Sequence, residues 1–202
     1  MAQESIGRVH FSLGDAARLA YDQIKRRRGR AAINIASIAL GLSFYATLVL
    51  SDTFYGTYER IGGAQLSVES YQYWLVGVAL VVSVVGITNA MLIAVYERYK
   101  EIGTMKCLGA LDRHIILLFL VESSFQGLAG GLAGFLLGLA GAVASTGFAT
   151  GFDIALRVPP TQMLAIFAGS VALALALSMT ATIYPAWRAS KLRPVEALRY
   201  EL

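Results

Sequence analysis

Four long apolar stretches mark the chain, at Ala31 to Ser51, Trp74 to Tyr96, Ser124 to Ala144 and Met163 to Ile183, separated by segments rich in polar and charged residues. A helix rises about 1.5 Å per residue, so roughly 20 residues cross a hydrocarbon core of about 30 Å. Each stretch meets that length, and the pattern predicts an all-α integral membrane protein with four transmembrane helices. The connecting segments are then 52–73 and 145–162 on one side, and 97–114 and the tail 184–202 on the other. Ahead of the first span, Leu13, Ala17, Ala20 and Ile24 recur at helical spacing, with Ser12 or Asp15 placed to cap them and bases on the remaining surface. Residues 1–30 therefore read as an amphipathic helix lying at the membrane interface. The alternative is a solvated basic flank.

Charge orients the spans. Of 17 Lys and Arg residues, fifteen lie before the first span, between the second and third, or after the fourth; only Arg60 and Arg157 lie in the other two segments. Positive residues collect on the cytoplasmic side, so both termini and the segment 97–114 are expected there. Phe54, Tyr55, Tyr58, Tyr71, Tyr73 and Trp74 cluster where the outer helix ends meet headgroups. The first thirty residues are polar and end in a basic run from Lys25 to Arg30, without the apolar stretch and small-residue site of a cleaved signal.

Composition agrees: of 202 residues 56% are hydrophobic and 15% charged, and the mean hydropathy is +0.60, too apolar for an ordinary soluble domain. The net charge of +4 is spent on topology rather than on a patch for nucleic acid. One cysteine, Cys107, excludes an internal disulfide, and His10 and His114 are too isolated to suggest a metal site. The chain lacks GxxxxGK[ST], HExxH and GxSxG, so neither nucleotide hydrolysis nor an intramembrane hydrolase has residues to rest on. No catalytic residue and no bound cofactor are expected in this chain.

Within the spans, Gly130, Gly134, Gly138 and Ala142 fall at four-residue steps, with Gly127 and Gly131 on a neighbouring row and Ala168, Ala172 and Ala176 in the same register on the fourth span. Small residues let helix backbones approach closely in lipid. Contacts within one protomer are the favoured reading, a dimer seam the alternative. The polar residues near the spans are Asn34, Ser37, Ser43, Thr88, Asn89, Glu122, Ser170, Ser178 and Thr180. Glu122 reads as an interfacial carboxylate paired with a basic residue of the inner loop, or alternatively as part of a proton relay. For Asn89 a hydrogen bond between helices is expected.

The segment VYERYKEIGTMKCLGALDRHI, Val95 to Ile115, is unusually ordered for a loop. The second helix can continue through Glu97, Arg98, Lys100 and Glu101, good helix formers of both signs. Gly103 permits a bend. Ile102, Met105 and Leu108 form a narrow apolar stripe on a short helix that presents the charge of Lys106; Gly109 can serve as its C-cap, and Asp112 can N-cap the third span.

That string resembles the signature of FtsX-like permeases, the membrane subunits of MacB- and LolC-type ABC transporters, N-x-[ML]-x-x-x-V-x-E-R-x-x-E-I-G-x-x-K-x-L-G-A followed by F-x-x-E. Asn89, Val95, Glu97, Arg98, Glu101, Ile102, Gly103, Lys106, Leu108, Gly109, Ala110, Phe119 and Glu122 fill it. The segment PAWRASKLRPVEALRYE is similar to the second signature through Pro185, Ala186, Arg188, Ala189 and Pro194 to Arg199. The resemblance covers about Ala31 to the end and implies a permease domain over 31–202, with a coupling helix between the second and third spans. Glu101, Ile102, Gly103, Met105, Lys106, Leu108 and Gly109 would be its ATPase-coupling residues, and Gly130, Gly134 and Gly138 are the helix-packing ones. It also implies a cytoplasmic ABC ATPase partner holding ATP and Mg, a second permease copy or homologue, and residence in a bacterial or archaeal-type cytoplasmic membrane. A separate extracytoplasmic accessory protein is a further implied partner. MacB- and LolC-type members resemble each other in a large outer domain between the first two spans, whereas here 52–73 is 22 residues, too few for a core of its own. Gly62-Gly63 reads either as a natural turn or as the joint left by an excised domain. Export of lipoprotein, lipid, peptide or drug, or mechanical signalling to a cell-wall enzyme, all fit. The alternative of another class is a non-transporting four-helix scaffold or sensor without an ATPase.

Overall fold

The computed structural model describes residues 28–62, 66, 68–151 and 157–192. The expected interfacial helix lies outside them except for its last three positions, which open the first helix; Gly63 and Pro194 to Arg199 also lie outside. The described elements are all helical: α1 (Arg28–Arg60), α2 (Ser70–Glu97), α3 (Tyr99–Cys107), α4 (Asp112–Thr150) and α5 (Pro160–Ser190). α1, α2, α4 and α5 are long and apolar enough to cross a membrane, and the chain is a multi-pass membrane protein.

The helices outrun the spans expected from hydropathy. α1 continues past Ser51 because packing, not lipid, holds its end: Phe54 is buried with Ala46, Leu50, Phe135, Ala142 and Val158, and Tyr58 packs on that cluster. Thr53 and Thr57 donate their hydroxyls to the carbonyls of Val49 and Thr53, at 2.8 Å each, so these polar residues do not interrupt the helix. Phe135 and Phe167 brace the same end edge to face, with centroids 5.1 Å apart.

α5 likewise runs beyond Ile183 to Ser190, straight through Pro185. Proline has no N–H for the carbonyl four residues back, so the carbonyl of Ala181 is left without its helical donor. The Thr88 hydroxyl of α2 supplies a replacement at 3.1 Å, sharing its hydrogen with the carbonyl of Val84 at 2.8 Å. The proline thus creates an interhelical contact.

α1 and α4 form the centre of the bundle, α5 packs on α4, and α2 closes the ring against α1 and α5. In their most apolar stretches α1 and α4 are 44% and 39% buried, α2 and α5 only 22% and 17%, which makes α2 and α5 the outer helices. Two glycine rows on α4 set this order. A Cβ at Gly134 would lie 2.9 Å from the carbonyl oxygen of Ala39, one at Gly138 2.5 Å from Cβ of Ala46, and one at Gly130 2.7 Å from Cβ of Ile38, so this row receives α1. Gly127 and Gly131 face Ser178 and Ala174, so the neighbouring row receives α5. The packing is within one protomer. Gly134→Val should cost about 1–3 kcal/mol, because a backbone carbonyl cannot step aside, whereas Gly169→Ala meets nothing within 4 Å. Thermal unfolding in detergent should fall clearly for the first and stay near wild type for the second; equal midpoints would refute the close approach of α1 and α4.

Two expectations are not met within one chain. Ala168, Ala172 and Ala176 do not share in this packing but lie exposed, because the inward row of α5 is Ser170, Ala174, Ser178, Ala181 and Pro185. Asn89 is also exposed, and the described residues offer it no interhelical bond: its neighbour Thr88 takes that role, one residue and 100° around the helix.

Candidate functional site

α2 and α3 are one helix broken at Arg98. The Arg98 N–H still reaches the carbonyls of Ala94 and Val95 at 3.3 and 3.2 Å, and the Ile102 N–H reaches Arg98 at 2.9 Å, but φ −99° and ψ 14° at Arg98 turn the axis. The bend is therefore not at Gly103, which is helical and buried inside α3. At this break the arginine side chain turns inward to Glu122 of α4. Nη1 and Nη2 donate to Oε2 and Oε1 at 2.7 and 3.0 Å, with the two side chains only 6% and 4% exposed. A two-pronged guanidinium–carboxylate pair fixes orientation as well as distance. One turn along α4, Gln126 accepts from Nδ2 of Asn34 on α1 at 3.0 Å, extending the buried polar layer across three helices. Glu122 thus takes the paired form of the two readings its sequence allowed, with Arg98 as the base. Arg30 of α1 pairs with Glu97 beside it.

The expected stripe of Ile102, Met105 and Leu108 divides. Steps of three residues turn a helix by 300°, so the row drifts by about 60° each time and Leu108 ends about 120° from Ile102. Ile102 is buried with Val95, Ile115, Phe119, Ala186 and Ala189, plugging α3 into α4 and α5. Met105 is half-buried, and Leu108 is 86% exposed. Glu101, Thr104, Cys107 and Gly109 share the outward surface.

Lys106 does not present a free charge. Its Nζ donates to Oδ1 of Asp112 at 3.0 Å and to the backbone carbonyl of Ser190, clasping α3 to the start of α4 and the end of α5. Lys191 reaches the other oxygen of Asp112 at 3.3 Å. Asp112 is the first residue of α4 rather than its N-cap, which is Leu111, and its carboxylate is engaged by the two lysines. Gly109 terminates α3 with φ +93°, its N–H bonded to the carbonyl of Lys106 and that of Ala110 to Met105, both at 3.0 Å. This paired 5→2 and 6→1 closure favours a residue without Cβ.

α3 is thus held at its start by Arg98–Glu122, in its middle by Ile102 and at its end by Lys106, always to α4 or α5. What projects is a small apolar tip, Leu108 with half-exposed Leu111. The clasp from Lys106 to Ser190 was not legible in sequence, since a backbone acceptor leaves no residue-type signal. Arg98–Glu122 had one, a base and an acid that both fall in the first signature.

Residues 73–194 match the family model described as the FtsX-like permease C-terminal domain. The chain is 41% identical over 131 residues to the macrolide export ATP-binding/permease protein MacB of Bdellovibrio bacteriovorus, an alignment covering 63% of this chain and 18% of that protein. It is 37% identical over 133 residues to the ABC transporter permease YknZ of Bacillus subtilis, covering 63% and 30%. An ABC transporter permease of Methanocaldococcus jannaschii is 36% identical over 131 residues, covering 63% and 33%. The match therefore spans no more than a third of the length of these relatives. The chain belongs to the FtsX-like permease family.

Proposed function

We propose that this chain is the membrane subunit of an ABC transporter and that α3 is the element on which a cytoplasmic ATPase docks. The observation that carries the reading is the exposed Leu108 tip on a helix anchored at three points. A docking surface that transmits force needs an apolar contact for the partner and a stiff attachment behind it, and both are present. Closure of the ATPase on ATP and Mg, which the partner holds, then pushes α3 and moves α4 and α5 with it. The printed names of the relatives, ABC transporter permeases and an ATP-binding/permease protein, support the same assignment. The working unit contains two copies of this chain, or one with a homologue, matching a pair of ATPases. Its output is export or mechanical transmission across the membrane, to a cargo or an outer accessory protein.

The α3 end faces the cytoplasm, with both termini, a reading that the distribution of bases supports. In spheroplasts, Ile61→Cys in a Cys107→Ala background should react with a membrane-impermeant maleimide, since Ile61 is exposed at the far end of α1. Native Cys107, exposed at the α3 end, should react only after permeabilisation. Labelling of Cys107 alone in sealed cells inverts the topology and removes α3 from reach of any ATPase.

A further inference from the structure

We propose that the outer face of α2 centred on Asn89 is where a second copy of this chain packs, the two Asn89 amides hydrogen-bonding to each other at the two-fold axis. The inference rests on the two-copy reading above and names its seam.

Val78, Val82, Val85, Asn89, Ile93 and Tyr96 fall at steps of three and four residues on one face of α2, and all are exposed. Asn89 lies eight residues before Glu97, the last residue of α2, which places it about 12 Å up the helix and inside the hydrocarbon. An amide there finds no donor or acceptor among acyl chains. The chain pairs its other long polar groups near this end internally: Asn34 with Gln126, and Arg98 with Glu122. Among the described residues Asn89 is the exception, exposed on the outer face of α2.

A second copy satisfies it for a chemical reason. The carboxamide carries both an N–H donor and a C=O acceptor, so it is complementary to itself. A two-fold interface brings a residue opposite its own counterpart only near the axis, which locates the axis at Asn89. Val85 and Ile93, one turn to either side, are stiff at χ1 and lose little freedom on packing. The exposed face of α5 makes no such demand. Its alanines are apolar, and the hydroxyl of Thr180 is already bonded to the carbonyls of Ala176 and Leu177. Because α2 leads directly into Arg98 and α3, a seam here sets two α3 helices on either side of the axis.

The test is disulfide trapping in native membranes of a Cys107→Ala chain carrying Asn89→Cys, Val85→Cys or Ala172→Cys, with native mass spectrometry of the unmodified complex beside it. Oxidation should link two chains through position 89 or 85 and not through 172. Separately, Asn89→Leu should weaken self-association about tenfold, the scale of one interhelical hydrogen-bonded contact, and Asn89→Gln should restore most of it. Two permease chains by mass with linkage at 172 and none at 89 or 85 would overturn the seam while leaving the two-copy reading intact. A single permease chain by mass would overturn that reading, and the seam with it. Equal association of the Leu and Gln variants would remove the amide pair from the interface.

Discussion

Glu122→Leu should lower stability by about 3–5 kcal/mol, because it leaves the guanidinium of Arg98 buried without a counter-charge. Both side chains are almost fully enclosed, so water cannot screen the loss. Against a total stability of about 5–15 kcal/mol, membrane yield and thermal midpoint in detergent should both fall sharply. Arg98→Met should be costly for the converse reason. The double variant Arg98→Met with Glu122→Leu should recover much of the loss, since a buried pair replaced by apolar side chains is often close to neutral. A full cycle measured by thermal unfolding gives the coupling directly. Additive single effects would mean that the pair is not formed. A double variant that folds but no longer links ATP turnover to its output would place the pair in force transfer as well as in stability.

The second large effect is expected at Leu108. Its side chain is 86% exposed at the end of α3, so Leu108→Asp leaves the bundle intact and should give wild-type expression and unfolding. Binding of the ATPase should nevertheless weaken at least about tenfold, because the aspartate would be desolvated in an apolar contact without a partner. Ile102→Asp is the informative contrast: Ile102 is buried between α4 and α5, so this change should destabilise the junction itself and reduce yield. Loss of ATPase binding in the Ile102 variant with none in the Leu108 variant would move the docking surface off the tip.

Hydropathy placed the four spans because lipid imposes one simple requirement, a long apolar helix. It could not place their ends, because Phe54 and Tyr58 belong to α1 through contacts with α4 and α5 rather than through their own hydropathy. Glycine steps on α4 marked close packing, and their direction followed only once Ala39, Ala46 and Ile38 were seen opposite them. The alanine steps on α5 looked equivalent and are not, since sequence spacing carries no information about which face turns inward. In the candidate site, the short helix and its glycine terminus were legible from local pattern. Local pattern points to Gly103 for the bend because glycine is its usual source, yet the break lies at Arg98, whose partner Glu122 is on another helix. Lys106 looked exposed for the same reason, as its partners Asp112 and Ser190 lie on other helices.

What touches the α3 tip decides whether an ATPase docks there. Cys107 is the sole cysteine, lies on α3 next to Leu108 and is exposed, so benzophenone-maleimide attached to it in inverted native membranes reports its neighbours without any substitution. Illumination should capture a protein whose tryptic peptides contain a GxxxxGK[ST] nucleotide-binding loop, and Leu108→Asp should abolish that product. Attachment only to lipid, or to a protein without a nucleotide-binding loop, would contradict the assignment of α3 as the docking site of an ATPase.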